Sequence, residues 1–92
     1  MIKMEEKDFQ LLKKILAKYP YQFYAYGSRV KGTARQFSDL DLCYQENIPP
    51  EIIYQIKEDL EESDLPFFVE LVSWKQMRPE FQKLIEEDLT VL

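Results

Sequence analysis

Four residues constrain this chain more than any others: Asp39, Leu40, Asp41 and Leu42. Acid and leucine alternate with a period of two, the repeat of a strand and not of a helix. The leucines predict a buried face, and the aspartates then share the opposite one. Two carboxylates on one strand face stand roughly 6.5–7 Å apart at their Cα atoms, close enough to share divalent ions and costly to leave unpaired. Such a face calls for something positive over it. Upstream, the apolar run ending at Tyr26 gives way to Gly27-Ser28. A glycine there lets backbone amides approach a phosphate closely, and a serine opening a helix adds a hydroxyl donor. The stretch YGSRVKGTARQFSDLDL, Tyr26 to Leu42, therefore predicts a metal-dependent nucleotide site.

Composition removes the competing chemistries. With no histidine and one cysteine, Cys43, zinc-finger, His-metal and Ser-His-Asp chemistry are excluded, and oxygen ligands remain. The net charge is −5 with no run of Lys or Arg, which disfavours direct nucleic-acid binding. A lone cysteine fits a reducing cytoplasm. The opening MIKMEEKDFQ mixes charges of both signs without the apolar core of a signal peptide, and no apolar stretch approaches a membrane span. At 92 residues the chain is expected to form a single domain, 1–92.

Along the chain, Phe9, Leu12, Ile15, Leu16 and Tyr19 recur at helical spacing, predicting a helix over 5–19 that Pro20 ends. The aromatic run 21–26 predicts a strand. Residues 28–31 predict one or two helical turns, 32–37 a loop, 38–44 the second strand and 46–50 a turn. Pro50 suits a first helical position, with Ile52, Ile53, Ile56 and Leu60 on one face of a helix reaching Ser63. FFVELV, 67–72, reads as a third strand. A short turn over 73–78 and a helix from Pro79 follow, with Phe81, Leu84, Ile85 and Leu89 inward. Thr90-Val91-Leu92 reads as an extra edge strand or a frayed end. The order predicts an α/β (α+β) fold, a small mixed sheet of three or four strands with helices packed on it.

Glu70 is the informative residue outside the opening stretch. A lone carboxylate among Phe67, Phe68, Val69, Leu71 and Val72 is costly to bury unpaired. If the third strand lies beside the second, Glu70 can join Asp39 and Asp41 as a hard-cation site. The plainer reading is a solvated sheet face. Arg29, Lys31 and Arg35 lie where they could contact phosphates, with surface the weightier reading. Ser38 could touch a terminal phosphate or simply start the strand. Cys43 reads as packing, and Trp74 as core or interface.

Gly27-Ser28, ten intervening residues, Asp39-Leu40-Asp41 and a later acid on an apolar strand together resemble the nucleotidyltransferase superfamily that includes DNA polymerase β. The short length resembles its minimal nucleotidyltransferases, the MNT-type antitoxins paired with HEPN-domain toxins. That resemblance implies that Gly27 and Ser28, with Arg29 and Ser38, hold the nucleotide. It implies that Asp39 and Asp41 bind two Mg²⁺ ions, and that Glu70 completes the metal site and helps deprotonate the attacking hydroxyl. The family more often has Asp in this third place. The implied reaction is transfer of AMP from ATP to a hydroxyl, a tyrosine of a HEPN-domain partner encoded nearby, in a hetero-oligomer. The alternatives are a catalytically weak or inactive antitoxin of the same fold that neutralises its partner by binding and, below it, a transferase to a small molecule.

Overall fold

The computed structural model describes residues 2–35 and 37–92. Its elements run α1 (Glu6–Leu16), β1 (Phe23–Tyr26), α2 (Ser28–Lys31), β2 (Leu40–Tyr44), α3 (Pro50–Glu61), β3 (Val69–Ser73), a 3₁₀ turn (Trp74–Gln76), α4 (Pro79–Ile85), a second 3₁₀ turn (Glu86–Asp88) and β4 (Thr90–Val91). The strands form one mixed sheet in the order β3-β2-β1-β4. β1 pairs antiparallel with β2 and with β4, while β2 and β3 run parallel, joined by α3 as a crossover. This is the expected α+β fold, and the C-terminal residues do form an edge strand.

The two faces of the sheet differ. Phe23, Ala25, Leu40, Leu42, Val69 and Leu71 point to one side and pack with Leu12, Ile15 and Leu16 of α1 and Ile56 and Leu60 of α3. Burying a leucine or isoleucine of this set contributes about 1.5–3 kcal/mol. On the other side Tyr26 and Cys43 meet Ile85 of α4, with Tyr24, Val72, Trp74 and Met77 around them. α4 covers only part of that face and leaves the start of β2 open. Among the described residues no helix is long and apolar enough to cross a membrane.

The departures from expectation are local. α1 stops at Leu16, and residues 17–19 turn tightly, with the Tyr19 amide donating to the Leu16 carbonyl at 3.1 Å. β1 starts at Phe23, because the Gln22 amide is taken by the Glu46 carboxylate at 2.6 Å and not by a strand neighbour. Leu84, expected inward, is 72% exposed, and Phe81 is 41% exposed, leaving Ile85 as the buried anchor of a helix seven residues long. So short a helix turns little more than one residue into the sheet.

Candidate functional site

β1 ends by running its backbone against a carboxylate. Tyr26 pairs with Asp41 across β1 and β2, which brings the next residue, Gly27, over the Asp41 side chain. Gly27 has φ 85 and ψ −156, a conformation open to glycine alone. A Cβ at this position would lie 2.5 Å from Asp41 Oδ2. The sequence thus needs glycine here for backbone shape and for room. The Gly27 carbonyl accepts from the amides of Val30 and Lys31 at 3.1 and 3.0 Å, starting the single turn of α2. The Ser28 hydroxyl makes no hydrogen bond among the described residues and opens that turn.

Asp41 lies opposite Glu70 in the parallel register of β2 and β3. The residues flanking each acid, Leu40, Leu42, Val69 and Leu71, are all buried on the helix-packed face, so both acids stand on the other. Asp39 precedes β2 by one residue and is exposed. Burial first, then the charges of Glu70 and Asp39, push the Asp41 carboxyl above its ordinary range. Asp41 therefore feels both of the other acids. Among the described residues none of them makes an ion pair, and no three acids or thiols are drawn close enough to chelate a metal as they stand. Like charges without a cation between them repel, and the donor set, three carboxylates, is the hard-oxygen type that suits Mg²⁺.

Arg29 is where the structure parts from the sequence reading. It was expected on the surface or on a phosphate, and it is 3% exposed. Its Nε and Nη2 donate to the Ser38 carbonyl at 3.0 and 2.7 Å, and Nη1 donates to the Lys3 carbonyl at 2.7 Å. The guanidinium lies 4.0 Å from the Phe67 ring centroid. Burial lowers its pKa, opposed by Asp8 and Asp39. Its fork ties the Ser38 carbonyl, beside Asp39, to the Lys3 carbonyl near the start of the chain, so it acts as a clamp. Ser38 belongs to the same loop: its Oγ accepts from the Arg35 amide at 2.8 Å, closing the turn before β2. Lys31 points to Asp88 at 3.9 Å.

Sequence reasoning missed Tyr26. Its phenol is pushed up to about 12 by burial, then by Asp41, Cys43 and Glu70, so it stays neutral against the acids. The readable signal was parity: Tyr26 immediately precedes the glycine that meets Asp41. Cys43 is fully buried and its thiol is raised to about 11 by burial, consistent with packing and not nucleophilic chemistry.

A family model described as "Polymerase beta, Nucleotidyltransferase" matches residues 10–92. The chain is also 33% identical over 93 residues to a Haemophilus influenzae protein named probable protein adenylyltransferase MntA, covering 97% of this chain and 82% of that relative.

Proposed function

Since the chain belongs to the polymerase β nucleotidyltransferase family, and is a nucleotidyltransferase of the minimal kind, we propose that it transfers AMP from ATP to a tyrosine hydroxyl of a partner protein. The family uses a nucleotide and metal. The partner we propose is a HEPN-domain toxin encoded nearby, silenced by the modification, which makes this chain an antitoxin. The observation that carries the reading is the placement of Glu70 opposite Asp41 on one sheet face, with Gly27 backed against the Asp41 carboxylate.

In this reading Asp39, Asp41 and Glu70 hold two Mg²⁺ ions. Bound there, the ions would supply the positive charge that phosphoryl transfer calls for. The chain's own part is positioning. Gly27 leaves room for the Asp41 carboxylate, and the Ser28 hydroxyl at the start of α2 donates to a phosphate. Asp41 lies against the Gly27 backbone and opposite Glu70 in the strand register. Glu70 is exposed and accepts the proton released by the acceptor hydroxyl. Arg29 and Ser38 hold the loop that presents Asp39.

The test is incubation of the protein with labelled ATP, Mg²⁺ and the product of the neighbouring gene, followed by intact mass. The expected result is a gain of AMP on a partner tyrosine that Asp39→Asn with Asp41→Asn abolishes. Labelling that survives the double substitution sinks the assignment. A partner that co-purifies without gaining AMP favours neutralisation by binding, which Glu70 in the place of an aspartate would suit.

A further inference from the structure

Away from the three acids, a cavity of about 590 Å³ opens between the start of α1, the chain after α2 and the approach to β3. None of Gly27, Ser28, Asp39, Asp41 and Glu70 lines it. Small-molecule sites usually span about 300–1,000 Å³ and are largely apolar with a few convergent polar groups. Met4, Ala34, Pro66 and Phe67 supply apolar wall here, with Ala34 and Phe67 buried. Arg29 closes the deep end, its guanidinium 4.0 Å from the Phe67 ring centroid. The N-terminal wall is tied to Arg29 twice. The Lys3 amide donates to the Arg29 carbonyl at 2.7 Å, and Arg29 Nη1 donates to the Lys3 carbonyl at 2.7 Å.

Asp8 stands out among the lining residues. It is 8% exposed, yet its side chain makes no hydrogen bond or ion pair among the described residues. An acid buried that deeply normally has a partner. No fully buried side-chain oxygen or nitrogen among the described residues lacks one, so the Asp8 carboxylate reaches open space, and Asp8 lines this cavity. Arg29 balances the charge from nearby, but its Nε, Nη1 and Nη2 donate to the Ser38 and Lys3 carbonyls. What Asp8 lacks is a donor. The mouth has the opposite character. Lys3 and Arg35 are exposed there and make no ion pair among the described residues, while Lys7 meets Glu5 at 3.7 Å. A fitting occupant carries an N–H donor at its inner end, a flat apolar body, and negative charge at its outer end.

We propose that this cavity is a second nucleotide site, separate from the three acids, and that it takes an aminopurine nucleoside monophosphate, AMP. The exocyclic amine of the base donates to Asp8. The ring lies along Met4, Pro66 and Phe67. The phosphate meets Lys3 and Arg35, the latter offering the planar fork that matches phosphate oxygens. Free phosphate would answer the mouth alone and leave Asp8 and the apolar walls unmet. A nucleoside without phosphate would answer the inner end and leave two cations unmet. The proposal does not depend on the transferase reading, since no acid of the metal site lines this cavity.

The test is calorimetric titration of the full chain with AMP in EDTA, where a metal-dependent site stays silent. The parent and a protein carrying Asp39→Asn with Asp41→Asn should bind AMP within about twofold of each other, well under the tenfold that equals about 1.4 kcal/mol. Lys3→Glu, at an exposed position, should weaken AMP about tenfold or more. Purine riboside monophosphate lacks the amine and should bind the parent about tenfold more weakly than AMP, the loss of one hydrogen bond to a charged group. Asp8→Leu should remove that difference. Inorganic phosphate and adenosine should each bind about tenfold or more weakly than AMP. Thermal melts check that each variant remains folded, and the Lys3→Glu and purine riboside arms decide the matter if Asp8→Leu does not. AMP binding that the double aspartate substitution abolishes overturns the proposal, because the nucleotide then sits on the metal site. Binding unmoved by Lys3→Glu overturns it as well. So does phosphate bound as tightly as AMP, the mark of a plain anion site, or no heat from AMP at millimolar concentration.

Discussion

Replacing Gly27 with alanine tests two consequences of one geometry. At φ 85 and ψ −156 the backbone occupies a region closed to residues with a Cβ, and forcing alanine there costs about 1–3 kcal/mol. The new Cβ would also sit 2.5 Å from Asp41 Oδ2. The carboxylate can swing aside, at about 0.5–1.5 kcal/mol for an off-rotamer side chain. The sum is about 2–4 kcal/mol, a fall of roughly 10–30 °C in melting temperature for a domain of this size. Activity should fall further, because a displacement of about 1 Å at a catalytic group costs about a hundredfold. A double-mutant cycle with Asp41→Ala separates the two parts. The steric part should vanish without the carboxylate, giving a coupling of about 0.5–1.5 kcal/mol by thermal melts, while the backbone part persists. A Gly27→Ala protein as stable as the parent refutes the backbone argument. A cost that is the same in both backgrounds refutes the close approach to Asp41.

Arg29→Met should cost about 3 kcal/mol or more in denaturant unfolding, because charge-assisted hydrogen bonds to the Ser38 and Lys3 carbonyls are lost inside. Arg29→Lys should recover less than half of that, since an ammonium cannot reproduce the planar fork; full recovery would refute the clamp. Asp41→Asn should abolish transfer yet raise the melting temperature at neutral pH without metal, because it removes a half-buried charge facing Glu70 and Asp39; a lower melting temperature counts against repulsion among the acids. Tyr19 donates to the Asp59 carboxylate, which also meets Lys18 Nζ at 2.9 Å, tying the end of α1 to α3. Burial, then Asp59, raises the Tyr19 phenol to about 12 from 10.0, so this contribution is full below pH 10 and fades as pH rises through 12. Tyr19→Phe should lower stability by about 1 kcal/mol at neutral pH and show a shallower loss over that alkaline window; parallel pH–stability curves for the two proteins would refute the link.

Much of the fold was legible because it is written in parity and spacing. Alternation shows which sides of β2 and β3 are buried, and the one or two helical turns expected over 28–31 are a four-residue helix between two glycines. Arg29 was not legible, because its partners are backbone carbonyls at Lys3 and Ser38, and carbonyls carry no sequence pattern. Asp8 hides for a related reason. It lies in the first turn of α1 and is 8% exposed, and its charge opposes the lowering of the Arg29 pKa. Leu84 failed because helical spacing tells which residues share a stripe, and not how much of the stripe a short helix can bring to the sheet.

The placement of Glu70 is decided by the residues that flank it. A slip of one position within a strand turns every side chain to the other face, and Val69 and Leu71 are both buried against the helices. Exposing them to bury Glu70 would forfeit several kcal/mol of apolar burial and add an unpaired charge to the core. The same logic binds Asp41 through Leu40 and Leu42. The hydrophobic core thus points two mutually repelling carboxylates to the same face of the sheet and keeps them there. The unfavourable electrostatics are confined to one open patch of sheet, offset by packing on the reverse face of the same strands. A site assembled in this way should tolerate volume-conserving changes at Leu40, Leu42, Val69 and Leu71, and lose its aim when any of the four becomes polar.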